Sequence, residues 1–582
     1  MANEKARIKE VFQLHKEGKT DEAKPLYYKL IDDIPQDIRL YGNLGAILRS
    51  EGESEKCAQL MIKGLNNCKR EVPELLNTLG NCLRDMGRFA EAYSCYKRAL
   101  KVNNNYLDSE VSSYLCLKSM NKKSIAKLYL AFLLKKYGDN NKDVFALILS
   151  HEIEEASDES RDLKHFFLTW LQGFDERSEK NNSLETEELP AHWFNAAIGC
   201  ASNGKTTDAR KFYNYGEESI LKYLERGNHK MSREEVIRFK TVSSWNLGCL
   251  LLKHGDFELG WKLYDYGLMT PAPEPQRWQR SLYKPFSSTK VPMWKGQALK
   301  DKKLLLLGEQ GIGDSMMFLT VLPMLAEEGA IVTVTLPERL ANIYNRSYPK
   351  CRFVSDKEFK TIATQFEDYD YQCPLGSILQ YRLKSVSAFR KHCKSYLKAR
   401  EENVRSLRKK YSSNGKPLLG ISWQGGGKGK RINDKSIPID EFLKNINLQG
   451  FNVLSLQYGN DDKLISKMNK RHNLDIIDDD EIQALKDMES WLDQVDACDL
   501  ILSIANTTIH GAGGLSKPTL CMLGDKPDWR WLSDQDETHS YWYPTVKIEK
   551  KDKITGWEKP YENANKWLES MKRKLPVDDG GA

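Results

Sequence analysis

The chain has 582 residues, of which 40% are hydrophobic and 29% charged, a globular composition rather than a disordered one. This length exceeds what one hydrophobic core serves, so several domains are expected. The 88 basic residues face 81 acidic ones, a formal charge of +7, which excludes the clustered basicity of a nucleic-acid binder. The twelve cysteines are scattered without a Cys-x-x-Cys pair, against a disulfide framework and against a zinc site. The opening MANEKARIKE is polar, and no apolar run approaches the ~20 residues that span a bilayer. The expectation is a cytoplasmic protein without a transmembrane segment, for which a peripheral contact with the inner membrane is compatible.

The first elements in chain order repeat. Gly18, Gly52 and Gly87 lie 34 and 35 residues apart, and Ala23, Cys57 and Ala92 follow each glycine by five. Four residues further on come Tyr27, Met61 and Tyr96, while Asn43-Leu44-Gly45 recurs as Thr78-Leu79-Gly80. This pattern resembles the tetratricopeptide repeat, in which small residues let two helices approach and a large one fills the space beside them. A later copy stands at Trp245-Asn246-Leu247-Gly248, followed by Gly255, Phe257, Gly260, Trp261 and Tyr264. Between about 105 and 240 the period blurs although helical patterns continue, as from Ser124 to Tyr137. The expected divisions are tetratricopeptide-like repeats over 1–150 and a further helical region over 151–270 ending in the repeat-like unit. Such stacked helices expose a surface for a protein or peptide.

Residues 271–296 hold five prolines and two tryptophans, a density that disfavours helix and strand interiors. They read as an extended connector packed on the domain C-terminal to it. From Lys302 short apolar runs alternate with helical stretches, which implies parallel sheets covered on both faces. Strands are expected at KKLLLLG, AIVTVTL (330–336), CRFV (351–354) and YDYQCP (369–374). A second series comes at PLLGISW (417–423), FNVLSLQ (451–457), LDII (474–477), DLILSI (499–504) and PTLCML (518–523). These make two Rossmann-like units, 297–400 and 401–582, with a ligand cleft at the carboxyl ends of the strands. The helix at about 555–574 is long enough to cross back onto the first unit.

Three loops carry candidate chemistry. Gly308-Glu309-Gln310-Gly311-Ile312-Gly313-Asp314 joins a strand to a helix. It lacks the Lys-Ser/Thr of a P-loop and the third glycine of a dinucleotide fingerprint. Its backbone admits a close substrate, and Asp314 either caps the helix or presents a carboxylate to the cleft. The second loop, Ser503 to Gly514, puts Asn506, Thr507, Thr508, His510 and Gly511 at a helix start. It reads either as a phosphate site or as a capped helix with packing glycines. The third, Trp423 to Pro438, is glycine-rich and basic with Lys428 and Lys435, and either neutralises a diphosphate or is a solvated loop. Asp478-Asp479-Asp480 reads as a solvent-facing acidic turn rather than a metal motif.

Together these pieces resemble the heptosyltransferase-like glycosyltransferases, in the branch that carries tetratricopeptide repeats. The resemblance covers most of residues 290 to 547. It runs from Trp294-Lys295-Gly296 through Glu-Gln-Gly-Ile-Gly-Asp, Cys373-Pro374-Leu375, Lys435-Ser436-Ile437-Pro438, His510 and Lys517-Pro518. It closes with Pro527-Asp528-Trp529-Arg530-Trp531-Leu532 and Trp542-Tyr543-Pro544. It implies a GT-B architecture with an acceptor-side unit (297–400) and a donor-side unit (401–582). The activity it implies is inverting and metal-independent: a sugar moves from a nucleoside-diphosphate donor to a glycan or protein hydroxyl, with no cofactor. Asp314 would be the general base, with Glu309, Gln310, Gly311 and Gly313 forming the acceptor loop around it. Lys435, Lys428, Asn506, Thr507, Thr508, His510 and Gly511 would bind the donor. Where the family has Asp-Thr-Ser or Asp-Thr-Gly, this chain has Ala505-Asn506-Thr507. That departure keeps a rival open, a non-catalytic repeat scaffold carrying a relic transferase fold.

Overall fold

The computed structural model describes residues 2–137, 190–225, 232–268, 291–309, 311–355, 358, 368–394, 396–426, 435–459, 463–525, 527–532, 538–552 and 555–575. The chain divides into two compact units, one within residues 1–186 and the other within residues 187–426 and 435–582.

Among the described residues of the first unit, eight helices succeed one another: α1 (Ala2–Lys16), α2 (Thr20–Asp33), α3 (Ile38–Ser50), α4 (Ser54–Cys68), α5 (Pro73–Asp85), α6 (Phe89–Val102), α7 (Leu107–Ser119) and α8 (Lys123–Tyr137). The repeating glycines end α1, α3 and α5. Gly18, Gly52 and Gly87 take φ of 77°, 81° and 78°, the left-handed conformation that closes a helix without a Cβ clash. At each one the paired Schellman hydrogen bonds form, as Gly18 N–H to His15 O at 3.0 Å and Lys19 N–H to Leu14 O at 3.0 Å. The small-and-large alternation is a packing rule. A Cβ on Gly80 would lie 2.5 Å from the Tyr96 ring, and one on Gly45 would lie 2.8 Å from the Met61 Cε. Each large residue thus occupies the space that the glycine on the preceding helix leaves open.

The second unit begins with helices Pro190–Ser202, Thr206–Glu225, Arg233–Lys253 and Phe257–Tyr264. The later copy of the pattern forms the last two of these. Gly248 lets the backbone at Leu263 and Tyr264 within 2.9 Å of where its Cβ would be. This pair is anchored on the α/β part: the Trp261 indole N–H donates to Leu383 O at 2.9 Å, and the Tyr264 ring lies 5.0 Å from Trp529. Of the connector, residues 291–296 are described. They run beside a strand, with Trp294 N–H to Gln372 O at 2.8 Å and Gln372 N–H to Pro292 O at 3.0 Å. The earlier part of the connector lies outside the described residues.

Two parallel sheets complete this unit. The first contains β1 (Lys303–Leu307), β2 (Ile331–Leu336), β3 (Arg352–Ser355) and β4 (Tyr371–Pro374) in the order β3-β2-β1-β4. The second contains β5 (Leu418–Ser422), β6 (Asn452–Ser455), β7 (Ile476–Ile477), β8 (Leu500–Ile504), β9 (Thr519–Leu523) and β10 (Val546–Lys550) in the order β10-β9-β8-β5-β6-β7. The nine strands expected are present because central strands of parallel sheets are buried on both faces and read as apolar runs. β10 was not expected: at the sheet edge only Val546 and Ile548 are buried, so its Val-Lys-Ile-Glu-Lys spelling carries no apolar run. The C-terminal helix, Glu558–Lys572, does not return to the first sheet. Its buried Tyr561, Ala564 and Leu568 join the core of the second with Phe442, Leu448 and Phe451, and Asn565 donates to Asn445 O at 2.9 Å. The apolar side chains it needs are supplied there, beside its own starting point. Among the described residues no helix is long and apolar enough to cross a membrane.

The chain order reverses between β1 and β4 in the first sheet and between β5 and β8 in the second. Crevices for ligands open at the carboxyl ends of strands at such points.

Candidate functional site

At the end of β1 the backbone is pinned by Gly308 N–H donating to Thr335 Oγ1 at 2.8 Å. Glu309 is buried, and its carboxylate accepts from Gly376 N–H at 2.5 Å in the loop after β4. It braces two loops of the first sheet. Gly311 and Gly313 each make room for one functional group. Gly311 has φ 99°, and a Cβ there would lie 3.0 Å from Asp314 Oδ2; a Cβ on Gly313 would lie 2.9 Å from the His510 imidazole. Gln310 lies outside the described residues.

The helix Ile312–Phe318 has no side-chain cap. The Asp314 carboxylate instead meets the Arg530 guanidinium: Nε donates to Oδ1, and Nη2 donates to Oδ2 at 3.0 Å. This is the forked geometry that matches a guanidinium to a carboxylate. Arg530 Nη1 also donates to Asp528 Oδ1 at 2.7 Å, and Lys435 Nζ stands 3.8 Å from Asp528 Oδ2. Asp314, Arg530, Asp528 and Lys435 therefore form a line of alternating charge. Burial works against the Arg530 charge, but Asp314 and Asp528 more than offset it and hold its pKa well above the usual guanidinium value. Burial raises the Asp528 pKa, and Arg530 and Lys435 outweigh that to bring it down to about 2.

At the end of β8, Asn506 caps the helix Thr507–Gly514 by accepting from Thr508 N–H at 3.0 Å. Its amide nitrogen donates to Ser422 Oγ at 2.6 Å and Gln424 O at 3.2 Å, which ties β8 to β5. Thr507 is half-buried in the first turn. Thr508 is buried and its hydroxyl has no hydrogen-bond partner among the described residues. His510 is buried against Trp531, ring centroids 6.0 Å apart, with Nδ1 3.1 Å from the Tyr543 hydroxyl. Burial lowers its pKa to about 4, so near neutral pH the ring is uncharged and offers one N–H. Gly511 is a packing residue, since a Cβ there would lie 2.6 Å from Trp491. Lys428 and its glycine-rich loop lie outside the described residues.

A cavity of about 560 Å³ opens at the carboxyl ends of β6 and β7, lined in part by Ser455, Gln457, Tyr458, Asp480 and Trp491. The buried Ser455 hydroxyl and Trp491 indole N–H have no hydrogen-bond partner among the described residues. The Gln457 carbonyl accepts from Ser422 Oγ and from the backbone N–H of Trp423 and Gln424 at 2.8–3.1 Å, which fixes the rim between cavity and helix start. The acidic turn is less solvent-facing than expected. Asp478 and Asp480 are exposed, but the Asp479 side chain is 3% exposed, takes Lys410 Nζ at 2.9 Å and accepts from the Tyr411 hydroxyl. Among the described residues no group of three or more His, Cys, Asp or Glu is placed to hold a metal ion.

The structure thus brings Asp314, Lys435, His510, Gly311 and Gly313 together and puts Asn506, Thr507 and Thr508 at the adjoining strand ends. Arg530 and Asp528 were not assigned a role from sequence, although Pro-Asp-Trp-Arg-Trp offered the signal of two charges flanking a buried tryptophan.

Residues 73–106 match the family model of the tetratricopeptide repeat. The chain carries a tetratricopeptide repeat. Protein FlbA of Caulobacter vibrioides is 23% identical over 327 residues, 53% of this chain and 52% of that protein. The chain spans about half the length of this curated relative. Among solved structures, the glycosyl transferase family 9 from Veillonella parvula shows 11% identity and a TM-score of 0.37, covering 48% of this chain and 99% of that one. ADP-heptose LPS heptosyltransferase II of E. coli shows 13% identity and a TM-score of 0.33, covering 47% and 99%. A tetratricopeptide repeat protein from Parabacteroides merdae shows 12% identity and a TM-score of 0.30, covering 47% and 95%. The tetratricopeptide helices and the two-sheet α/β region are the two parts of the fold.

Proposed function

We propose that the α/β region is an inverting, metal-independent glycosyltransferase of the GT-B kind, acting on a nucleoside-diphosphate sugar, with the repeats engaging a protein partner or acceptor. The observation that carries the reading is the pairing of a carboxylate from the end of β1 with Arg530 after β9, in a line of charge that ends on Lys435 after β5 and lies near the helix start after β8. In transfer, a hydroxyl of a glycan or protein attacks the anomeric carbon as the bond from that carbon to the diphosphate oxygen breaks. The hydroxyl proton goes to Asp314, and the bonding pair leaves with the diphosphate. General-base assistance of this kind is worth roughly 10²–10⁴-fold. Lys435, Arg530 and the helix start at Thr507 would stabilise the leaving charge. The cavity at β6 and β7 supports the same reading, because its unpaired hydroxyl and indole N–H suit the nucleoside end of the donor. Mixing purified protein with nucleoside diphosphates and their sugars, with and without EDTA, tests it. A ligand at 100 times its Kd adds about 2.7 kcal/mol, visible as a rise in Tm. A nucleotide-specific rise that survives EDTA is expected; no rise with any nucleotide returns the chain to the rival reading of a repeat scaffold.

A further inference from the structure

We propose that Arg530 couples donor binding to release of the base: it clamps Asp314 while the donor is absent, and the donor diphosphate draws it away. This rests on the transferase reading above and adds an order of events to it. The clamp joins the two sheets, since Asp314 comes after β1 and Arg530 after β9. Both carboxylate oxygens of Asp314 accept from the guanidinium, so the group that should receive a proton is already satisfied. The neighbouring pair has the same form, with Lys435 resting 3.8 Å from Asp528. The two cations that a diphosphate needs are thus held in advance on carboxylates, and the four charges sum to zero.

Arg530 is built to exchange partners. Its main chain is fixed by Trp542 Nε1 donating to Arg530 O at 2.7 Å. The guanidinium carbon lies 4.8 Å from the centre of the Trp529 ring, a surface over which the planar group slides while staying stacked. A guanidinium binds phosphate oxygens by the same fork as a carboxylate, and a diphosphate offers more charge than one carboxylate. As the fork moves to the donor, the Asp314 oxygens are freed for the acceptor hydroxyl. Proton abstraction by Asp314 before the donor is seated is thereby suppressed.

The consequence is a gain of affinity on removing a side chain. Asp314 competes with the diphosphate for Arg530, so Asp314→Asn should bind a nucleoside diphosphate more tightly than the natural protein. Hydrogen bonds to charged groups set the scale at roughly tenfold or more in Kd. Isothermal titration of ADP, GDP and UDP, with the unphosphorylated nucleosides as controls, measures this on the full chain. The gain should be confined to diphosphates and vanish when Asp314→Asn is combined with Arg530→Gln. Arg530→Lys, which keeps the charge and loses the fork, should reduce the gain and serves if the glutamine variant does not fold by circular dichroism. Unchanged or weaker binding by Asp314→Asn overturns the proposal. A gain that persists in the Arg530→Gln background also overturns it, because the effect is then the general field of one carboxylate. Absence of diphosphate binding by the natural protein and the variants alike overturns the transferase reading itself, and this coupling with it.

Discussion

Gly313 is where the helix after β1 meets the helix after β8, and replacing it by alanine tests that contact. The new Cβ would lie 2.9 Å from His510 Cδ2 and 3.1 Å from Nε2, several tenths of an ångström inside ordinary van der Waals contact. The imidazole has little freedom to yield, being stacked on Trp531 and held 3.1 Å from the Tyr543 hydroxyl. Overpacking of this kind costs about 1–3 kcal/mol. Against it stands the preference of a helix for alanine over glycine, at most about 1 kcal/mol and less in the first turn. The net expectation for Gly313→Ala is a loss of about 1–2 kcal/mol. Urea unfolding followed by tryptophan fluorescence reads it. In a His510→Ala background the collision partner is gone, so the same substitution should become neutral or slightly stabilising. The cycle then gives a coupling of about 1–3 kcal/mol. Equal effects of Gly313→Ala in both backgrounds would refute the contact and with it the closeness of Asp314 to the second sheet.

Three other outcomes come from the same geometry. Gly80→Ala should lose about 1–3 kcal/mol in the repeat unit, because its Cβ meets the Tyr96 ring at 2.5 Å; a matching Tyr96→Leu change should recover part of it in thermal unfolding. Stability should fall as pH drops from 6.5 towards 4, where the unfolded His510 takes a proton that the folded one, with a pKa of about 4, refuses. That gap is worth about 3 kcal/mol, and His510→Gln should flatten the slope of urea midpoint against pH. Asp528 is held down by Arg530 and Lys435 against its burial, so its contribution is present above its ordinary value of 3.8 and is lost as pH falls towards its folded value of about 2. Asn506→Asp should keep the cap on Thr508 but lose the amide's bonds to Ser422 at the end of β5 and to Gln424 after it, a cost of about 1–3 kcal/mol that chemical denaturation would show; an unchanged midpoint would mean the amide is not the tie between the strands.

How far the sequence revealed this arrangement depended on the range of the interaction. Short-range signals were legible: the glycine period marks helix ends, and apolar runs such as Leu304–Leu307 mark strands buried on both faces. In the loop at 503–514 the capped helix with packing glycines is visible. Gly511, Gly513 and Gly514 are packing glycines, against Trp491, Tyr543 and Leu397, whereas Asn506 caps and Thr508 holds an unpaired hydroxyl. The partner of Asp314 was not legible, because Arg530 lies 216 positions away and no local pattern connects them. Nor was the inward turn of Glu309, which depends on a backbone N–H presented by the loop after β4.

Ala505 is the feature that most favours a relic, and the proposed transferase reading has an energetic argument to set against it. A fold kept only as a scaffold is maintained by its core, and partly buried ion pairs add little to such stability. Replacing them with apolar side chains is often neutral or stabilising. Yet Asp314, Arg530, Asp528 and Lys435 hold four charges in contact at the ends of strands from both sheets. Nearby, the Thr508 and Ser455 hydroxyls and the Trp491 indole N–H are buried without partners among the described residues, at about 1–3 kcal/mol each when nothing satisfies them. Stability alone supplies no reason for the four charges to meet at these strand ends. The proposed donor would supply one, because its diphosphate would meet the cations and its remaining polar groups the unpaired hydroxyl and N–H groups. The loss of an acid at position 505 fits that ligand too, since it removes a negative charge from beside the helix start where the phosphates would bind.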